Sequence, residues 1–165
     1  MIRTDNDIEE ILIAWIKLAL SNPSFRVIVS NENGKEPMGS FASLLVITST
    51  SVGVGANINT YDSVNDDFKL LSSSLREVDV SLNFYRDNAH ENMRQVMHFP
   101  NTNASEEFLF DKGLSLFIPD TYRNLDELEN DGFIKRSQID LRLHCASEYV
   151  ETVNAIDEVP LTVES

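Results

Sequence analysis

The hydrophobic rhythm of the chain changes several times, and each change marks an element. Ile8, Ile11, Leu12, Trp15, Leu18 and Ala19 recur at three- and four-residue spacing and predict an amphipathic helix. Thr4 or Asp5 can cap it, Asp7, Glu9 and Glu10 suit its positive N-terminal end, and Asn22 with Pro23 closes it. Trp15 is expected to anchor the core. Residues 25–29 read as a short extended segment, and NENGKEPMG (31–39) as a turn region. FASLLVITST is a strand whose nearly continuous apolar centre, Leu44 to Ile47, predicts burial on both faces. Residues 51–68 have no period and are expected to form a long loop or an extended hairpin.

From Lys69, KLLSSSLRE leads into a strand counted in twos. Val78, Val80, Leu82 and Phe84 take one face, and Asp79, Ser81 and Asn83 the other. After Arg86 the count passes to threes and fours: Ala89, Met93, Val96 and Met97 give a second helix its apolar side. Asp87 or Asn88 can cap it, with Glu91 three residues after Asn88 in the manner of a capping box, and Pro100 closes it. Residues 101–112 read as a polar loop with the apolar insert FLF, and 113–118 as a short strand. Residues 119–131 look turn-like, with Asn124 or Asp126 able to cap a helical turn. In the final strand, FIKRSQIDLRLHC, Ile139, Leu141, Leu143 and Cys145 share one face, and Gln138, Asp140, Arg142 and His144 the other. From about residue 147 the chain is expected to be an acidic arm that docks on a neighbour, or a partly ordered tail. The element order predicts a single α+β domain over residues 1–165, a mainly antiparallel sheet with two helices packed on one face.

Composition narrows the functional classes. The 13 Lys and Arg against 27 Asp and Glu give a net charge of −14. Such a surface disfavours gripping nucleic acid or an anionic membrane, and suits one that lets a polyanion slide past. The 165 residues are 42% hydrophobic, enough for a real core. Cys145 is the one cysteine, so no intramolecular disulfide or cysteine-based metal cluster is expected, and a reducing compartment follows. The acidic N-terminus is unlike a signal peptide, and ILIAWIKLAL, interrupted by Lys17, is too short to span a bilayer.

Catalysis finds no positive signal in the residues. His90 and His98, eight apart on a helix, are separated by roughly 12 Å along its axis, too far to share one metal. His144 and Cys145 point to opposite faces of a strand and cannot act as a nucleophile pair. Gly53-Val54-Gly55 lacks the Lys-Ser/Thr of a phosphate loop, and no GxSxG elbow occurs. Asp79, Asp140 and Arg142 lie on polar strand faces, where a solvated or interfacial surface is the ordinary outcome. No catalytic, cofactor or metal residue is assigned.

Three stretches carry a resemblance. VDVSLNFYRDNAHENMRQVM, then GLSLFIPDTYRNLDELENDGFIKRSQIDLRLH with its Glu129, Phe133 and Arg136 before IDLRL, and upstream NGKEPMGSFASLLV, resemble the neck and tail-terminator proteins of long-tailed phages over about residues 31–156. The resemblance implies a virion protein without enzymatic activity or cofactor, assembled in the host cytoplasm. It implies a homohexameric ring that caps the tail tube protein and meets the head–tail connector or head-completion protein, with sheath protein as a further partner. Genomic DNA would pass through an acidic channel without specific binding. Subunit-interface candidates are Asp79, Asn83, Arg86, Arg136, Asp140 and Arg142. The competing expectations are another head–tail or tail-tube assembly protein, an acidic DNA mimic that occupies a nuclease, and a small enzyme.

Overall fold

The computed structural model describes residues 4–30, 36–62, 67–129 and 132–153. Three helices, α1 (Asp5–Ala19), α2 (Ala89–His98) and α3 (Asn103–Asp111), accompany eight strands. The strands are β1 (Arg26–Val29), β2 (Phe41–Asp62), β3 (Asp67–Tyr85), β4 (Leu114–Phe117), β5 (Arg123–Asn124), β6 (Glu127–Glu129), β7 (Gly132–Ile134) and β8 (Arg136–Val153). The main sheet has the order β1-β2-β3-β8-β4, with β5 also on β8; β6 and β7 form a separate hairpin. All pairings are antiparallel except β1 with β2. This is the expected α+β class with a mainly antiparallel sheet.

The two-beat pattern of β3 and β8 translates directly into layers. Val78, Val80, Leu82 and Phe84 face the helices together with Ile139, Leu141, Leu143 and Cys145, and all eight are buried. Leu44, Leu82 and Ile139 lie in one cross-strand row of this core. Helix α1 closes over it through Ile8, Leu12, Trp15, Ile16 and Ala19. Its first turn is a complete capping box: the Thr4 hydroxyl accepts from the Asp7 N–H at 3.2 Å, and the Asp7 carboxylate accepts from the Thr4 N–H at 2.7 Å.

Several expectations need correction. Of the two expectations for residues 51–68, the extended hairpin holds for the described residues and the long loop does not. Strand β2 runs on to Asp62 and β3 begins at Asp67, a long hairpin arm extending past the helix layer. Residues 51–61 are exposed on both sides of the strand, so no apolar–polar alternation marks them. FASLLVITST is buried on both faces only over residues 41–44; Leu45 and Val46 are half-buried and the rest is exposed. A β-bulge between Val46 and Thr48 inserts an extra residue, reverses the parity of β2, and leaves Ile47 half exposed. Residues 101–112 form a third helix, so the helix layer has three members rather than two. Helix α3 starts at Thr102, whose hydroxyl accepts from the Ser105 N–H, and it packs on α1 and β4.

Asn88 does not build the expected capping box. It takes the left-handed conformation (φ 62°), as Arg86 does (φ 67°), and its side chain makes no cap hydrogen bond. The strand must reverse within a few residues to lay α2 on the sheet, and Asn tolerates that geometry better than most residues. In place of a helical turn at 119–131 stand the short β5 and the β6–β7 hairpin. The expected arm from about residue 147 begins as strand, because β8 continues to Val153. The remainder of that arm lies outside the described residues.

Candidate subunit-interface surfaces

Two surfaces of the sheet are candidates, and the first carries most of the residues singled out by their pattern. The first is the polar face of β3 and β8, opposite the helices. Register places Asp79 beside Arg142, Ser81 beside Asp140, and Asn83 beside Gln138. The Arg142 guanidinium donates to both Asp79 oxygens, at 2.8 and 3.4 Å, and lies 3.4 Å from Glu77. Thr48 adds a hydrogen bond to Asp79 at 3.0 Å, and His144 Nε2 sits 3.0 Å from Glu77. The Arg142 hydrogen bond is the main reason the Asp79 carboxyl is held below the usual carboxylate range; partial burial opposes it, and Thr48 assists.

Further along this face, Arg136 donates to Asn83 Oδ1 at 3.2 and 3.3 Å, pairs with Glu127, and lies 5.3 Å over the Tyr85 ring. Asp140 accepts from Arg123 at 3.4 Å and from Gln138 at 3.5 Å. Arg86 stands apart at the end of β3, where it pairs with Glu36 at 2.8 Å. Five of the six interface candidates thus fall on one face, and all six engage partners within their own chain. Acids and arginines are paired across this face. Further acids lie at the start of α1 (Asp5, Asp7), along α3 (Glu106, Glu107) and on the end of β8 (Glu148, Glu151).

The second surface is a three-stranded ribbon made of the far part of β2, the start of β3 and the end of β8. Beyond Leu44 the outer edge of β2 has no paired strand among the described residues, and beyond Cys145 neither has that of β8. Ile58, Leu71 and Val150 form one apolar row across the ribbon. A second interruption of register, between Val52 and Ala56, holds Gly53 at φ 77° and pushes Val54 fully into solvent. A Cβ at Gly55 would lie 3.0 Å from the Ser73 carbonyl oxygen, so that position accommodates the close approach of two backbones. None of these ribbon residues stood out by hydrophobic period. The signal available was another one: residues 41–61 contain no charged side chain in a chain that is 24% charged.

One constellation has the outline of catalytic machinery. His90 Nδ1 lies 2.8 Å from Ser137 Oγ, and His90 Nε2 3.3 Å from Asp126. Ser137 is fully buried, and its hydroxyl donates to Asn124 at 3.0 Å, as His90 Nδ1 approaches Asn124 at 2.7 Å. A nucleophile needs access to a substrate; this serine has none. The cluster fastens the start of α2 to β5 and β8. A surface cleft of about 680 Å³ between the end of α2 and β4 is lined by Arg94, His98, Asp120 and Tyr122 among others and lies away from this cluster. Among the described residues no group of three His, Cys, Asp or Glu side chains could hold a metal ion, and no helix is long and apolar enough to cross a membrane.

A family model described as phage neck terminator protein matches residues 6–165. No curated protein sequence matches the chain. Among solved structures, the fold is similar to a sheath/tube terminator of an extracellular contractile injection system, PVC, in its extended state, with a TM-score of 0.59 and 13% identity. That likeness covers 100% of this chain and 65% of the injection-system protein.

Proposed function

The chain belongs to the phage neck terminator protein family, and from that premise we propose that it is a non-enzymatic virion protein that ends the tail tube. The observation that carries the reading is the extent of the match. It spans the helix layer, the sheet and the ribbon together, so the whole architecture is the family's and not one motif of it. In this reading copies of the chain close a homohexameric ring on the last ring of tube protein. The ring stops growth, and its other side meets the head–tail connector, with sheath protein as a neighbour outside.

Two physical features support it. A heterologous interface closes into a ring when each copy offers two different surfaces, and the sheet offers two open edges. A net charge of −14 suits a channel that DNA must traverse without adhering. The polar face with Asp79, Asn83, Arg136, Asp140 and Arg142 is proposed to lie at or near a subunit boundary, with Arg86 at its margin. There its internal pairing leaves hydrogen-bonding capacity without an unmatched charge.

Removing the chain during phage growth tests this reading. The expected outcome is abnormally long tails, or tails that do not join heads, and imaging of intact particles should place one ring of this chain between head and tail. Normal tails and normal joining in its absence would sink the proposal. Copies stacked along the tail would identify a tube protein instead, and co-purification with a basic nuclease rather than with particles would identify a DNA mimic.

A further inference from the structure

We infer that neighbouring copies join their sheets through the ribbon, the open edge of β2 on one copy pairing with the open edge of β8, residues 146–153, on the next. The inference rests on the ring reading above and adds the strands that close it. Exposed sheet edges are ordinarily defended by charged side chains or proline, because unpaired N–H and C=O groups recruit other strands. Residues 41–61 of β2 have neither, over 21 positions. The register interruption at Val52–Ala56 divides this edge but leaves residues 56–62 as an uninterrupted run beyond it. That run is comparable in length with the open part of β8.

Charge decides which edges meet. The β8 edge bears Glu148 and Glu151, whereas β2 bears no charge over residues 56–61 and carries a carboxylate only at its last residue, Asp62. Pairing β8 with β8 would set carboxylates against carboxylates, and pairing β2 with β2 would leave the acidic edges open. Pairing β2 with β8 avoids both. The two strands run in the same direction, because each is antiparallel to β3, so a rotated copy presents one to the other as a parallel pair. The apolar row points the same way. Ile58 and Val150 sit at its two ends and remain 51% and 55% exposed, each lacking a neighbour on its outer side. Edge pairing sets Val150 of one copy near Ile58 of the next and makes Ile58, Leu71 and Val150 a continuous belt around the ring.

Cysteine pairs on assembled particles test this. Ile58→Cys combined with Val150→Cys, treated with a short bis-maleimide, should give a ladder of covalent multimers, and each single variant none. Cys145 is buried and gives the background for both. Thr60→Cys with Thr152→Cys, the ends of the next row on the same face, is the independent pair should the first impair folding. Covalent dimers from a single variant would overturn the inference in favour of like edges meeting. Particles that show the ring but cross-link with neither pair would overturn it while leaving the terminator reading intact. Particles without a ring of this chain would end both.

Discussion

Trp15 and Ser105 illustrate how single residues hold the layers together. The Trp15 indole N–H donates to Ser105 Oγ at 2.8 Å between two buried side chains, and the ring meets Phe99 at 5.4 Å between centroids. Ser105→Ala leaves that N–H buried without its partner, so the variant should lose about 1–3 kcal/mol of stability. Denaturant titration followed by the fluorescence of the sole tryptophan reads this directly. Asp79 offers a second test at this scale. Because Arg142 holds its carboxyl below the ordinary value, the ionised form favours the fold above about pH 4, and the contribution fades as pH falls through the lowered value. Asp79→Asn should therefore be less stable than the parent near neutral pH and should converge with it once the pH has fallen below the lowered value. Parallel pH curves for the two proteins would show that the pair contributes nothing. Trp15 was legible as a core anchor because its stripe is periodic; Ser105 was not, because a serine becomes a core residue only when a distant donor, 90 positions away, finds it. Asn88 misled for a related reason: its spacing to Glu91 fits a cap, but the turn required a left-handed residue there instead.

At the scale of elements, the sequence was transparent wherever one face was apolar and the other polar. Helix α1, the second half of β3 and the first half of β8 all follow that contrast. It fails where both faces are wet or a bulge reverses the parity, which is the case for the ribbon and for β2 after Val46. It fails for α3 as well, where Phe108, Leu109 and Phe110 are contiguous and only Ser105 and Leu109 are buried. Among the described residues no ribbon side chain belongs to the core beneath the helices, so the ribbon should open more readily than the sheet beneath α1. Hydrogen exchange should show early exchange at residues 56–60 and 68–74, and late exchange at Leu82 and Leu141. Gly53→Val places a β-branched residue at φ 77°, which costs about 1–2 kcal/mol of backbone strain. Its effect should be faster exchange confined to the ribbon, with the core unchanged; a lower global stability of the same size would mean that the ribbon folds as one unit with the core.

For the whole molecule, the distribution of charge is as informative as its sum. The polar face of the sheet pairs acids with arginines, while α1, α3 and the end of β8 each carry more acids than bases. Five of the six interface candidates, all but Arg86, could be placed on polar faces from strand parity alone; their partners could not, because Arg123, Glu127 and Thr48 arrive from other strands. The surface inferred to join copies rests on an absence of charge, which alternation does not report. Ile58→Asp, which sets a carboxylate opposite the acidic edge of the next copy, should yield a folded protein that no longer enters particles. Circular dichroism establishes the first point and immunoblotting of purified virions the second. Normal incorporation would speak against the edge as a joint. The uncharged edge of β2 also has a consequence for the free subunit. Strand recruitment needs contact, and mutual repulsion between bodies of charge −14 delays contact only across a Debye length, about 10 Å at 0.1 M salt and 3 Å at 1 M. Ionic strength is then a throttle on the lifetime of the unassembled pool. Purified protein should stay dispersed in dilute buffer and grow steadily in light-scattering mass as salt is raised, a colloidal clock set by the same edge.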